Sequence, residues 1–134
     1  MLRSLTLLSL GLLLSLTAQA GETITGRVTL APELANQAQP GDTVFIFARA
    51  VNGPRMPLAA LRATVADLPL EFQLDDSMAM APMARLSNFE QVSVIARISA
   101  HGGVQASSGD LEGESPAIRP GTTGVEIQIQ RVLP

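Results

Sequence analysis

Apolar and polar residues alternate over short stretches of this chain, and that two-residue period predicts β-strands. Residues 23–30, 70–74 and 124–130 carry apolar residues or glycine at every second position, with polar side chains between them. Such alternation is typical of a strand that has one face in a core and the other in water. The pattern therefore predicts three half-buried strands.

Two longer stretches lack this alternation and predict strands at the centre of a sheet. Residues 43–50 are apolar on both faces until Arg49, and residues 91–99 have a similar character. A strand that is covered on both faces reads as a nearly continuous apolar run. Segments 44–49 and 92–97 also resemble each other, which we interpret as two inner strands with similar surroundings rather than as a repeat fold.

Two weaker stretches complete the set of predicted strands. Residues 58–65 are rich in alanine and leucine and would suit a short helix, but the prolines on either side and the brevity of the run favour a strand. Residues 111–118 are polar and are interrupted by Gly113 and Pro116, so this stretch predicts an edge strand.

The spacing of these strands predicts the fold class. About seven short strands with turn signals between them, and no long helical period, indicate an all-β protein built as an antiparallel β-sandwich. No linker or low-complexity stretch divides residues 21–134. We therefore expect these residues to form one domain.

The first 20 residues have the three-part layout of a cleavable signal peptide. Arg3 supplies a positive charge, residues 5–16 are apolar, and the segment closes on the small-x-small sequence at 18–20. The apolar run is shorter than the roughly 20 residues that cross a bilayer as a helix. We therefore expect export to the periplasm, with no membrane span after cleavage.

Composition excludes several classes of function. Residues 21–134 contain eight arginines, no lysine and twelve acidic residues, a formal charge of −4, which argues against nucleic acid or anionic lipid as a partner. Cysteine is absent, the single His101 lies in a glycine-rich turn, and Asp75 and Asp76 fit ordinary turn chemistry. No catalytic residues are predicted, and we expect a protein that is not an enzyme.

Three acidic residues at alternate positions have two interpretations. Asp110, Glu112 and Glu114 would share one face of a strand, where carboxylate oxygens are the ligands that Ca²⁺ prefers. The other interpretation is a charged edge strand that discourages aggregation between sheets. The second interpretation is favoured, because the spacing of a known calcium loop is absent.

A methionine cluster is a second candidate metal site. Met78, Met80 and Met83 have a Met-x-Met-x-x-Met spacing, and thioethers are soft ligands that select Cu(I). Met56 would add a fourth sulfur and His101 a nitrogen. The alternative is that these methionines are flexible core fillers, which is the simpler interpretation. No cofactor is otherwise predicted, so Cu(I) binding is the alternative function.

Six segments in order share the pattern of one known family. They are FIFAR (45–49), GPRMPLA (53–59), DLP (67–69), LDDSMAM (74–80), ARIS (96–99) and GDLEG (109–113). In these segments the chain resembles the C-terminal periplasmic domain of the cytochrome c-type biogenesis proteins called CcmI or CycH. The resemblance covers about residues 24–132 and implies an immunoglobulin-like (Ig-like) version of the predicted sandwich.

The resemblance also implies a function. Larger members of that family lie in the inner membrane of bacteria and carry helical repeats that hold apocytochrome c for haem attachment, with the β-domain at the end. Here a predicted signal peptide takes the place of the membrane segments, so we expect a freely diffusing domain. The expected role is that of a non-enzymatic accessory protein of c-type cytochrome biogenesis, whose partner is apocytochrome c or a maturation component.

Overall fold

The computed structural model describes residues 22–134, and the predicted signal peptide at residues 1–20 lies outside them. Alternating and apolar stretches form strands where the sequence predicts them, including the ambiguous stretch 58–65. The eight strands are β1 (Ile24–Leu30), β2 (Thr43–Ala50), β3 (Ala59–Thr64), β4 (Leu70–Leu74), β5 (Val92–Ser99), β6 (Leu111–Glu114), β7 (Val125–Ile129) and β8 (Arg131–Val132).

The strands form two sheets that pack face to face. One sheet has three strands in the order β4-β1-β7, and the other has five in the order β3-β2-β5-β6-β8. The prediction of an all-β sandwich is confirmed, with eight strands in place of about seven. The two inner strands inferred from their similar sequences, β2 and β5, are indeed neighbours and pair over the full length of both.

One strand pair departs from the predicted antiparallel arrangement. β1 and β7 run parallel, in register from Gly26 beside Val125 to Leu30 beside Ile129. Parallel neighbours need a long crossover connection, and here almost the whole domain lies between the two strands. Pairing of the first strand with β7 thereby completes the smaller sheet.

The core lies between the sheets and is built by the alternation in each strand. In β7 the side chains of Val125, Ile127 and Ile129 are buried, while those of Glu126 and Gln128 are exposed. Apolar residues on the inner faces of the other strands complete one cluster, whose fully buried members include Ile24, Val28, Val44, Ile46, Leu74, Val92, Val94 and Ala96. Burial of these side chains is the main source of stability in a domain that has no disulfide.

β6 corrects the prediction of an edge strand over 111–118. The strand is shorter, and it lies inside the larger sheet between β5 and β8. Its polar residues predict an exposed edge, but the Glu112 carboxylate is buried against arginines of neighbouring strands. Between β7 and β8 the chain crosses to the larger sheet, where the amide of Gln130 donates to the carbonyl of Glu112.

Short 3₁₀ helices fill the connections between strands. The first, Pro32–Gln37, begins at a proline shortly after β1. The others are Val65–Asp67, Asp76–Met78, Pro82–Ala84 and Leu86–Asn88. In the part of the chain that the structure describes, none of the helices has the length and apolar character needed to cross a membrane.

Candidate protein-binding face

The outer face of the five-stranded sheet carries an unusual set of side chains, here called the arginine face. Residues one position away from the core residues of each strand must point to this face, because side chains alternate across a sheet. The arginine face consists of Phe45, Phe47 and Arg49 of β2, Ala60 and Arg62 of β3, Ser93, Ile95 and Arg97 of β5, Glu112 and Glu114 of β6, and Arg131 of β8.

One row of directly opposed residues crosses the whole sheet. From β3 to β8 it reads Arg62, Phe45, Arg97, Glu112 and Arg131. The Arg62 guanidinium lies 5.1 Å from the centre of the Phe45 ring, and that of Arg97 lies 5.2 Å from the centre of the Phe47 ring. Both distances suit cation–π contacts, so the arginines partly cover the aromatic rings that this face would otherwise expose.

A buried ion pair organises the β5–β8 side of the face. Arg97 Nε donates to Glu112 Oε2 at 3.1 Å, and the two side chains are only 9% and 8% exposed. Arg131 binds the other carboxylate oxygen of Glu112, and Arg97 also donates to the carbonyl of Val104 at 3.2 Å. The carboxylate is therefore bound on both oxygens, as a buried charge requires.

Glu114 extends this network towards the end of β2. It accepts a hydrogen bond from Ser93 Oγ at 3.0 Å, and Arg49 and Arg131 approach it at 3.8 and 3.9 Å. Beside it lies a cleft of about 330 Å³, lined by Arg49, Ser93, Glu114 and loop residues 50–55. The cleft opens at the end of the sheet where β2 passes into the loop that leads to β3.

Charge is distributed unevenly over the molecule. The arginine face carries four arginines and two glutamates, a formal charge of +2, within a chain whose formal charge is −3. Both glutamates belong to β6, so the β2–β3 side of the face has no acidic side chain of its own. Within residues 22–134, neither Arg55 nor Arg62 forms a salt bridge. This side and the loop after β2 therefore offer two guanidinium groups without a carboxylate partner among the described residues, and the half-buried Phe47 lies on the same side.

The sequence alone does not reveal the arginine face as a unit. It predicts a central strand that contains Phe45, Phe47 and Arg49, and an edge strand that contains Glu112. The sequence carries one indication of this face, because segments 44–49 and 92–97 both end in an arginine that points away from the core. Recognising it needed the register that places these side chains in common rows, which only the pairing of distant strands defines.

The residues considered for catalysis do not form a catalytic set among residues 22–134. Asp75 accepts hydrogen bonds from the backbone amide of Ser77 at 2.9 Å and from the Ser77 hydroxyl, and Asp76 accepts from Ser87 Oγ at 2.6 Å. The Ser77 hydroxyl is the main cause of a lowered pKa at Asp75. Both carboxylates therefore hold turns in place. His101 is exposed in the loop after β5.

The three alternate acids do not form a calcium site. Glu112 and Glu114 bind arginines, while Asp110 is buried and accepts from the amide of Ser107 at 2.8 Å. Over residues 22–134, no group of three His, Cys, Asp or Glu side chains is placed to hold a metal ion. The alternative of an aggregation-blocking edge also needs correction, because β6 is an inner strand.

The structure separates the predicted copper ligands into two places. β2 begins beside Ser99, two residues before His101, and ends six residues before Met56. A strand of that length is roughly 23 Å long at about 3.3 Å per residue, so His101 and Met56 follow opposite ends of it. This placement argues against a single site that contains both residues.

The other methionines lie at the Met56 end of the sandwich. β4 begins at the opposite end, just after the amide of Val65 donates to the carbonyl of Asp42, and it runs back towards Met78. Met78 packs against the core, whereas Met80 and Met83 are 81% and 77% exposed. Core filling thus accounts for Met78 and leaves the two exposed thioethers unexplained.

Two packed sheets, with the first strand joined to β7, define an Ig-like β-sandwich domain. The chain belongs to the family of the cytochrome c-type biogenesis protein H Ig-like domain, whose family model matches residues 24–130. The resemblance inferred from six sequence segments is thereby confirmed.

A curated relative supports the same assignment. The cytochrome c-type biogenesis protein CycH of Pseudomonas aeruginosa is 49% identical over 96 residues, which are 72% of this chain and 23% of that protein. This chain therefore spans less than a quarter of the relative's length. Among solved structures, an alternative pilotin from the type II secretion system of Vibrio cholerae matches 81% of this chain and 96% of its own, with 18% identity and a TM-score of 0.45. So low a score carries no functional argument.

Proposed function

We propose that this protein is a non-enzymatic accessory module of c-type cytochrome biogenesis that acts in the periplasm. Its partner would be a protein, either apocytochrome c or a component of the assembly machinery. The observation that carries the proposal is the family match, with 49% identity to CycH over most of the domain. The predicted signal peptide supports the periplasmic location.

Chemistry limits what such a module can do. Haem attachment in these systems is thiol chemistry, and this sequence contains no cysteine. The protein would therefore neither reduce a disulfide nor carry haem through a thiol. Holding or docking a partner is the role that its side chains support.

The arginine face is the surface best suited to that role. Protein interfaces are enriched in arginine and aromatic residues, which combine apolar contact with directed hydrogen bonds. Here Arg62 and Arg49 lie on either side of Phe47 along a rigid sheet, and a cation–π contact with Phe45 holds the guanidinium of Arg62 in position. Little conformational entropy would be lost when a partner binds to a surface that is already ordered.

Affinity purification from periplasmic extract tests the proposal. The mature protein, tagged at its C-terminus, should recover apocytochrome c or a cytochrome maturation component, identified by mass spectrometry. An Arg49→Gln/Arg62→Gln variant should recover less of the same partner, and Arg27→Gln on the opposite sheet is the matched control. Recovery of neither class of partner by the wild-type protein would contradict the proposal.

The exposed methionines favour a second candidate function, Cu(I) binding. Exposing two large thioethers three residues apart gains nothing for the core, and soft sulfur ligands suit Cu(I). Met80 and Met83 would form the site, with Met78 and Met56 as further ligands from the same end of the sandwich. His101 is left out because it lies at the other end.

A Cu(I) titration of the mature protein decides this second candidate. Competition with a chromophoric Cu(I) chelator should show one tight site that Met80→Leu/Met83→Leu removes. Val104→Leu, a change at another exposed apolar residue, should leave the affinity unchanged. Equal affinities for the wild-type protein and the double methionine variant would exclude the site.

A further inference from the structure

We propose that the β2–β3 side of the arginine face binds an extended acidic peptide segment of the partner protein. This inference rests on the proposed function and gives the partner a chemistry. The binding strip consists of Arg62 and Ala60 on β3, Phe47 and Arg49 on β2, and Arg55 in the following loop. Carboxylates of the peptide would pair with the arginines, and an apolar side chain between them would cover Phe47.

Differences between the two sides of the face locate the strip. Towards β6 and β8, Arg97 and Arg131 are bound to Glu112, and every residue of β5 is buried. Towards β3, Ala60 and Arg62 are exposed and Phe47 is half-buried. Only this second side therefore combines accessible apolar surface with arginines that lack a buried carboxylate partner.

Charges around the strip favour an anionic ligand. Arg55 and Arg62 form no salt bridge within the described residues. The salt bridge of Arg49 to Glu114 is long, at 3.8 Å, and Glu114 is shared with Ser93 and Arg131. Asp67, a nearby acid beyond the end of β3, is occupied by the amide and hydroxyl of Thr64. Carboxylates form charge-assisted hydrogen bonds with guanidinium groups, often two at a time.

The geometry of β2 predicts the spacing of the acidic residues. Arg62 lies beside Phe45, four residues along β2 from Arg49. At about 3.4 Å per residue, the two guanidinium groups are anchored roughly 14 Å apart along the strand. In an extended peptide, residues i and i+4 have the same separation and point to the same side, and residue i+2 lies between them. The expected motif is therefore acidic-x-apolar-x-acidic.

A peptide is a better occupant than a nucleic acid or an anionic membrane. The chain as a whole is acidic, and the smaller sheet exposes Glu71 and Glu126 around a single Arg27. The acidic charge of the chain as a whole repels a long polyanion or a charged bilayer, whereas a segment of a few residues contacts only the strip. The cleft of about 330 Å³ at the end of the strip has room for one side chain of such a segment.

Fluorescence anisotropy with synthetic peptides tests the inference on the mature protein. A labelled peptide with Glu at i and i+4 and Leu at i+2 should bind, and binding should weaken as salt is raised. Replacing both Glu by Gln should lower affinity by roughly tenfold or more, as should moving the second Glu to i+3. Arg49→Gln and Arg62→Gln should each cause a comparable loss, while Arg27→Gln should cause none.

Several results would overturn the inference. Equal binding of the Glu and Gln peptides would show that charge is not recognised, and an equal loss in Arg27→Gln would show that the strip is not the site. Tighter binding of a single-stranded oligonucleotide or of vesicles containing phosphatidylglycerol would identify a different anionic ligand. Thermal unfolding of each variant checks that folding is kept, which we expect because both arginines project from the sheet surface.

The peptide-binding assay and the affinity purification can fail independently of each other. If no acidic peptide binds but the wild-type protein recovers a cytochrome maturation component, only the peptide chemistry is wrong. If the peptide binds but no such component is recovered, the strip is a binding site and the biogenesis role is wrong. The peptide assay needs no component of the cytochrome machinery, so the two results are independent.

Discussion

Glu112 shows how one residue can decide the character of a surface. Its carboxylate binds Arg97 on one side and Arg131 on the other, and it is almost fully buried. A buried ion pair of this kind gains little over apolar side chains, but removal of one partner leaves a buried charge without compensation. The Arg97 guanidinium, which also contacts Phe47, therefore depends on Glu112.

Replacement of Glu112 tests this dependence. Glu112→Gln should lower the free energy of unfolding by about 3–5 kcal/mol, because Arg97 would keep its charge and its burial but lose its counter-ion. Urea denaturation followed by circular dichroism measures the change. Glu126→Gln on the exposed face of β7 is the matched control and should stay within about 0.5 kcal/mol of wild type. A change in the free energy of unfolding for Glu112→Gln as small as that of the control would show that the ion pair has no structural role.

Gly113 allows β6 to lie close to the backbone of Gln128 and Ile129 at the end of β7. A Cβ atom there would overlap the carbonyl oxygen of Gln128 and lie 2.7 Å from its carbonyl carbon. Gly113→Ala should therefore destabilise the protein by about 1–3 kcal/mol, since backbone atoms on both sides must shift. Thermal unfolding measures the loss. Gly41→Ala, where a Cβ meets no atom within 4 Å, should leave the melting temperature nearly unchanged.

At the level of elements, the turn after β4 depends on a single carboxylate. Asp75 is the N-cap of the 3₁₀ helix Asp76–Met78 and accepts a hydrogen bond from the amide of Ser77. The Ser77 hydroxyl is the main cause of the lowered Asp75 pKa, while partial burial opposes the shift. A lowered pKa in the folded state means that the ionised carboxylate stabilises the fold.

The stability contributed by Asp75 should depend on pH. It is fully present above the ordinary pKa of about 3.8 and is lost as pH falls through the lower pKa of the folded state. Asp75→Ala should lower the free energy of unfolding by about 1 kcal/mol at pH 7, and the difference from wild type should shrink below pH 3.8. Urea denaturation at pH 7 and pH 3 compares them. A difference that stays constant with pH would show that the charge is not involved.

Strands were predictable because their signal is local. The alternation in β1, β4 and β7 and the continuous apolar run of β2 each reflect burial that neighbouring residues in sequence record. β6 was misassigned because its burial depends on Arg97 and Arg131, which lie on other strands. The parallel pairing of β1 with β7 was not predictable for the same reason, since nothing within either strand specifies the direction of its neighbour.

On the scale of the whole molecule, charge separates between the two outer faces. The larger sheet carries four arginines and two glutamates on its outer face, and the smaller sheet exposes mainly acidic and amide side chains. The negative formal charge of the chain can be read from the sequence and argues against polyanionic partners. The basic face cannot, because total charge does not report how side chains on five strands come together.

The amount of covalent haem in c-type cytochromes is the direct readout of a role for this domain in cytochrome biogenesis. It is measured by haem staining of periplasmic and membrane fractions from a strain that lacks the gene and from complemented strains. We expect c-type cytochromes to fall in the deletion strain, to return with the wild-type protein and with Arg27→Gln, and to return less with Arg49→Gln/Arg62→Gln. Unchanged c-type cytochromes in the deletion strain would show that the domain has no such role.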